Sequence, residues 1–354
     1  MINPFDTICA ISTPIGEGGI SVIRISGTDS FRIIQNIFSK SREKYKALNI
    51  SETDSHTVNF GYLFDENKLV DEVLVSIFKS PNSFTGEDII EISAHGGVFV
   101  TQKILSLIIK QGARHAEPGE FSRRAFLNGK IDLSQAEAVA DLIKSKTEEA
   151  HKSSLEQLEG SLSAYVKKIR EDLISVTALV ELELDFAEED LEFAQKDEVM
   201  NKALQIINDL KEIVNSYIKG KVIRDGINVV IAGKPNSGKS SLFNSLLKTE
   251  RAIVSEISGT TRDYLEENLI IDGILFNLTD TAGLRSTADI IEHEGIKRSL
   301  SKINDADLVV YLVDSSNSKS EREHSVEFFN EQIKSSNKLL VFTKKDLSGN
   351  SVPE

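Results

Sequence analysis

A single cysteine in 354 residues excludes an internal disulfide framework and suits a reducing compartment. Cys9 sits among Ile8, Ala10 and Ile11, the setting of a buried strand residue rather than of a nucleophile. Long apolar runs are missing too: no stretch approaches the ~20 residues of a membrane span. The N-terminus has no basic region followed by a long apolar stretch. A soluble, cytoplasmic protein with no membrane partner is expected. Positive charge is scarce, with 41 basic residues against 55 acidic and a net charge of −14. A polyanion is repelled on average, so the chain is a poor candidate for binding nucleic acid unaided, although a partner can supply the rest. Internal repeats, low-complexity tracts and proline-rich linkers are absent as well.

What is present is ordinary globular material, 40% hydrophobic and 27% charged, enough for two or three domains with real cores. Three regimes follow one another, giving a multidomain α/β chain. Residues 1–130 mix β-rich runs ("TICAIST", "ISVIRIS", "EVLVSIF", "DIIEISAHGG") with a helical pattern, "VFVTQKILSLIIKQG", that stops at Gly112. That is an α+β pattern. Residues 131–220 are α-helical: glycine nearly vanishes and apolar residues recur at helical spacing. Ser134 and Glu137 suggest an S-x-x-E capping box, with Ala136, Val139, Ala140 and Ile143 on one face. Gly160 marks a break or a kink, and a third helix is predicted over Glu198 to Lys219. The acidic run Glu181 to Glu192 reads as a solvated helix end, since it lacks ligand spacing and histidine. Residues 221–354 alternate strands and helices, with strands in "INVVIAG", "LIIDGILFNLTD", "DLVVYLVD" and "KLLVFT", the rhythm of a doubly wound sheet.

The chemistry is concentrated in that last region. Gly233-Lys234-Pro235-Asn236-Ser237-Gly238-Lys239-Ser240 matches G-x-x-x-x-G-K-[ST] between a β-run and the helical "SLFNSLL". In such a loop the backbone N–H groups close on phosphate oxygens, and a helix N-terminus adds its dipole. Lys239 is expected to reach the β- and γ-phosphates, and Ser240 to hold magnesium. Gly259-Thr260-Thr261-Arg262-Asp263 supplies a second magnesium ligand, assigned to Thr261. Asp280-Thr281-Ala282-Gly283 follows, with Asp280 near magnesium through water and the Gly283 amide facing the γ-phosphate. Thr343-Lys344-Lys345-Asp346 matches [NT]-K-x-D, in which the aspartate accepts from guanine N1 and N2, so GTP is favoured over ATP. Its threonine offers fewer contacts than the commoner asparagine. Four motifs in this order predict a Ras-like P-loop GTPase domain on a doubly wound sheet. Yet Leu284 stands where Ras-like enzymes carry the glutamine that orients water.

"GKPNSGKSSLFNSL", "AIVSEISGTTRD" and "DTAGLR" resemble both the ribosome-assembly GTPases of the Der and Era type and the MnmE (TrmE) family of tRNA-modification GTPases. "DTICAISTPIGEGGISVIRISG", "PNSFTGEDIIEISAHGG" and "PGEFSRRAFLNGKIDLSQAEAVADLI" resemble segments of the MnmE family alone, so the likeness covers essentially the whole chain. A Der- or Era-like ribosome-assembly switch is the alternative. The resemblance implies a homodimer that works with the flavoprotein MnmG on C5 of the wobble uridine of certain tRNAs. It adds an aminomethyl or carboxymethylaminomethyl group, and the tRNA is held mainly by the partner. A tetrahydrofolate derivative (5-formyl- or 5,10-methylene-tetrahydrofolate) is the implied one-carbon donor, in an N-terminal folate-binding-like, dimer-forming domain. Folate contacts carry over onto Arg24, Glu91 and Lys130, each of which would otherwise read as a structural charge at a strand end or loop.

The resemblance also implies hydrolysis that depends on potassium and on G-domain dimerisation. Asn236, Ser255, Ile257 and Thr260 carry over as potassium ligands, and Glu292 as the residue that orients water, with Glu294 nearby. The GTP-binding set then comprises Asn236, Ser237, Gly238, Lys239, Ser240 and Ser241; Ser255, Glu256, Ile257, Ser258, Gly259, Thr260 and Thr261; Asp280, Thr281, Ala282 and Gly283; and Thr343, Lys344, Lys345 and Asp346. The family continues past its G domain into more helical domain and a C-x-G-K motif, whereas this sequence stops at Glu354. The G domain is therefore expected to be incomplete at its C-terminal end.

Overall fold

The computed structural model describes residues 6–43, 52–185, 196–249, 266–280, 303, 305–334 and 337–347. They fall into two compact units, residues 1–140 and 141–354.

In the first unit the strands are β1 (Ile8–Ile11), β2 (Ile20–Ser26), β3 (Phe38–Ser39), β4 (Thr57–Asp65), β5 (Lys68–Phe78), β6 (Ile89–His95) and β7 (Arg114–His115). They form one sheet in the order β3-β4-β5-β6-β2-β1-β7, antiparallel except where β1 meets β7. Helices α1 (Ser30–Ile37) and α2 (Val98–Lys110) supply Ile33, Ile34, Ile104 and Ile108 to a core shared with Ile23, Ile25, Ile90 and Ile92 of the sheet. Strand side chains alternate between faces, so with those isoleucines inward Arg24 and Glu91 must both point the other way. They are also directly opposite in the β2–β6 register. Cys9 is fully buried in β1, as expected, and burial pushes its thiol up to about 12. The helix α1 and strand β4 carry no motif and were not among the sequence's predicted elements.

Helices α3 (Glu120–Leu127) and α4 (Leu133–Lys144) follow. The start of α4 is capped two residues earlier than the sequence predicts. Asp132 Oδ1 accepts from the Gln135 N–H at 3.0 Å, and Gln135 Oε1 accepts from the Asp132 N–H at 2.9 Å. This is the same reciprocal box with Asp and Gln in place of Ser134 and Glu137. Because Ser134 gives its hydroxyl to Asp132, it joins the cap without being the cap. The buried position of α4 is Ala138, while Ile143 is 80% exposed, so the face predicted from periodicity is not the one that packs.

In the second unit, α5 (Glu148–Leu158) ends before Gly160, whose left-handed φ of 91° makes that site a break. Helices α6 (Ser161–Asp185) and α7 (Lys196–Asp225) come next; α7 runs six residues beyond the predicted Lys219. Tyr165 of α6 donates to the Asp209 carbonyl of α7 at 3.2 Å. Most of the acidic run after Asp185 lies outside the described residues.

The chain then enters β8 (Ile227–Gly233), α8 (Lys239–Thr249), β9 (Glu266–Ile271), β10 (Ile274–Asp280), β11 (Leu308–Asp314), α9 (Lys319–Gln332) and β12 (Lys338–Thr343). The predicted single run "LIIDGILFNLTD" is two strands. Asp272 (φ 50°) and Gly273 (φ 80°) turn the chain back on itself, the D-G hairpin signal, and β9 pairs antiparallel with β10. Strand order is β12-β11-β8-β10-β9, parallel apart from β9. Val229 and Ile231 of β8 pack on the side of Phe243 from α8, and Val230 and Ala232 on the side of Phe329 from α9. Burial on both faces is why β8 reads as an unbroken apolar run. The chain leaves β8 toward β10 on one side and later returns to β11 on the other. That places a topological switch point at the end of β8, where ligands bind in open α/β sheets.

Candidate functional site

The phosphate-loop sequence occupies that switch point. Gly233 ends β8 at φ 146°, and a Cβ there would lie 2.6 Å from the Leu312 carbonyl of β11, so only glycine fits. Asn236 takes a left-handed φ of 62° at the exposed crest of the loop. Ser240 and Ser241 stand exposed in the first turn of α8. Lys239, 8% exposed, donates from Nζ to the carbonyls of Gly233 at 3.0 Å and Lys234 at 2.8 Å. Its ammonium is therefore held back over its own loop, a fixed positive charge beside a helix N-terminus. This arrangement can bind an anion and stabilise charge that develops on it.

The Thr343-Lys344-Lys345-Asp346 motif meets this loop directly. Thr343 ends β12, and its hydroxyl donates to the Ser237 carbonyl at 2.8 Å. A threonine in place of asparagine therefore does useful work, tying the two motifs together across the sheet. Lys344, left-handed at φ 54°, places Nζ 2.6 Å from Asp314 Oδ2 at the end of β11. That contact, with a second from the Ser316 hydroxyl, outweighs burial and holds the Asp314 carboxyl down to about 2. Asp346 lies exposed in the short turn Lys345–Leu347. Asp314 escaped sequence reasoning because it ends a strand and belongs to none of the four motifs. Among the described residues the Ser237 hydroxyl is buried with no hydrogen-bond partner.

Asp280 is the last residue of β10, alongside β8. The remaining predicted positions (Ser255, Glu256, Ile257, Ser258, Gly259, Thr260, Thr261, Thr281, Ala282, Gly283 and Glu292) lie outside the described residues. Among the described residues no group of three His, Cys, Asp or Glu side chains is arranged to hold a metal. The exposed Ser240 hydroxyl and the exposed Asn236 amide oxygen are oxygen donors of the kind a hard cation takes.

In the first unit Arg24 and Glu91 satisfy each other, NH2 to Oε1 at 2.7 Å, each with a side chain 25% exposed. The Arg24 guanidinium lies over two rings, Phe84 at 5.3 Å and Phe121 at 5.5 Å. Lys130 Nζ donates to the Pro81 carbonyl at 3.1 Å, and its stem packs beside Gly86. Lys130 thus reaches the loop Pro81 to Gly86 at Pro81, Arg24 reaches it at Phe84, and Glu91 is paired with Arg24. A charged network pins that loop and α3 in place. Arg124 joins Asp6 at 2.6 Å, Glu87 at 3.2 Å and Glu120 at 3.3 Å, while Arg114 joins Glu120 and Asp6 at 2.7 Å each. The Arg24–Glu91 pair, about a quarter exposed, thus presents charged edges beside two aromatic rings. The resemblance did not extend to Phe84, Phe121 or the network, and spacing alone could not find them, since their partners are distant in sequence.

The chain matches the family model described as "GTP-binding protein TrmE N-terminus" over residues 7–130 and "MnmE helical domain" over residues 133–347. It is 45% identical over 348 residues to the tRNA modification GTPase MnmE of Lactococcus lactis subsp. lactis, covering 98% of this chain and 74% of that one. With the protein of the same name from Flavobacterium johnsoniae it shares 47% over 353 residues, covering 98% and 74%. The Streptococcus sanguinis protein, also tRNA modification GTPase MnmE, is 44% identical over 346 residues, covering 97% and 74%. Among the described residues no helix is long and apolar enough to cross a membrane.

Proposed function

The chain belongs to the MnmE family of tRNA-modification GTPases, and from that premise we propose that it couples GTP hydrolysis to modification of C5 of a tRNA wobble uridine in the cytoplasm. Hydrolysis is its established half. The observation that carries the guanine-nucleotide reading is the Thr343–Ser237 hydrogen bond, which joins a phosphate loop and a base-reading motif at one switch point. In this reading Lys239 and the α8 N-terminus bind the β- and γ-phosphates, and Asp346 accepts from the guanine edge. Ser240 and Thr261 hold magnesium, while Asn236 with Ser255, Ile257 and Thr260 holds potassium. These cations, when bound, offset the charge that gathers on the transferring phosphoryl group. Glu292 takes the role that Leu284 cannot fill, orienting the attacking water. Hydrolysis assayed in potassium and then in sodium tests both assignments. Sodium should slow the chain sharply, and Glu292→Ala should lower kcat about a hundredfold while GDP affinity holds. Equal rates in both salts remove the ion's role, and unchanged turnover in the variant removes Glu292.

The modification half rests on the first unit. Arg24, Glu91 and Lys130 bind a tetrahydrofolate derivative that supplies the one-carbon unit, in a homodimer acting with the flavoprotein MnmG. Supporting this reading, the partly exposed Arg24–Glu91 pair places polar groups beside the Phe84 and Phe121 rings. Calorimetric titration with 5-formyltetrahydrofolate is expected to give saturable heat that Glu91→Ala removes. No heat, together with co-sedimentation with ribosomal subunits, would favour the Der- or Era-like switch instead.

A further inference from the structure

We propose that Asp314 is a positioning residue for guanine selectivity: through Lys344 it fixes the turn that carries Asp346 to the base. The inference rests on the GTPase reading and extends it to a residue outside the four motifs. Asp314 closes β11 in register with Thr343 of β12, and its side chain is only 8% exposed. One carboxylate oxygen accepts from the Ser316 N–H at 2.9 Å and its hydroxyl at 2.6 Å, setting the turn between β11 and α9. The other oxygen accepts from Lys344 Nζ.

Lys344 needs such an anchor. Left-handed backbone is disfavoured for a residue with a Cβ, and persists where the surroundings impose it. Here the residue before Lys344 is tied by its hydroxyl to the phosphate loop, and the Lys344 carbonyl accepts from the Leu347 N–H at 3.0 Å. Between those two constraints the ammonium reaches back to Asp314. Its charge-assisted bond ties the left-handed turn back to β11, and with it the course of Lys345 and Asp346. Ser315 N–H donates to the Thr343 carbonyl at 2.9 Å, so the β11 end and the base-reading loop are joined by backbone as well. Loss of the Asp314 charge should therefore leave the sheet intact and loosen only the turn beyond it.

Asp314→Asn is the informative variant, because asparagine can still accept from Ser316 but presents no charge to Lys344. GDP and IDP affinities of the full chain are compared by calorimetry. Inosine lacks the N2 amine, so the ratio of the two affinities reads how well Asp346 is aimed. In the variant the preference for GDP should shrink about fivefold, most of it by weaker GDP binding. A variant that keeps the wild-type ratio, or loses GDP and IDP affinity in equal proportion, overturns the proposal. A wild-type chain with no preference for GDP overturns instead the guanine reading on which the proposal rests. If Asp314→Asn does not fold, Lys344→Met carries the same comparison with the β11–α9 turn untouched: a shrunken ratio supports the positioning role, and a preserved one overturns it.

Discussion

Lys239→Ala is expected to lower kcat/KM for GTP about a thousandfold, the order of effect seen when a preorganised charge at a reacting phosphoryl group is lost. The lysine is nearly buried, and its Nζ is held by two carbonyls of its own loop, so it meets phosphate with little water to screen it. Moving from those carbonyls to a phosphate exchanges neutral acceptors for charged ones. Alanine removes that gain while leaving Gly233, Gly238 and the α8 N-terminus in place. The variant should melt close to the wild type, because the lost bonds close a local loop and pack no core. Steady-state kinetics beside a thermal melt make the check. Retention of kcat/KM within tenfold would remove Lys239 from the site.

Glu120→Ala should cost the first unit about 3–5 kcal/mol, the usual penalty for breaking one side of a buried ion-pair network. Glu120 is 1% exposed at the N-terminus of α3, facing Arg114, Arg124 and the Glu117 N–H. Burial works against its ionisation, yet the hydrogen bonds from Arg114 and from the Glu117 N–H prevail, holding the carboxyl at about 2 against an ordinary 4.5. A depressed folded-state pKa stabilises fully above the unfolded value, and that stability disappears as pH falls from 4.5 toward 2. Wild type and variant should therefore differ most in urea melts at pH 7, draw together below pH 4.5 and converge only as pH approaches 2. A gap that stays constant with pH would mean that packing, not charge, accounts for the loss.

Much of the second unit was legible in the sequence because its signals are local. β8 and β12 each join an apolar run to a short motif, β11 is an apolar run without one, and both faces of that sheet are covered. The D-G hairpin was hidden inside one apolar stretch: Asp272 and Gly273 were present, but the strands on either side read as one. The α4 cap was misplaced because Asp132, Ser134 and Glu137 all satisfy capping patterns, and only backbone geometry chooses among them. Ile143 misled the helical periodicity for a different reason, since periodicity finds an apolar face but not the surface that covers it. Asp314 and the Arg124 network were illegible from spacing, because they join segments up to 118 residues apart. The motifs Gly259–Asp263 and Asp280–Gly283 are read from their residues and Glu292 from the family resemblance; apart from Asp280, these positions lie outside the described residues.

The burial of Cys9 has a practical consequence. A thiol with its pKa at about 12 is almost wholly protonated near neutral pH, and reagents that need a thiolate pass it by. Any cysteine introduced at an exposed position would then be the one reactive sulfur in this sequence. Spin labels or fluorophores could be attached at the tip of the Asp272–Gly273 hairpin without first removing the native residue. Two labelled copies would report, by the distance between their probes, whether G domains approach each other during the GTP cycle.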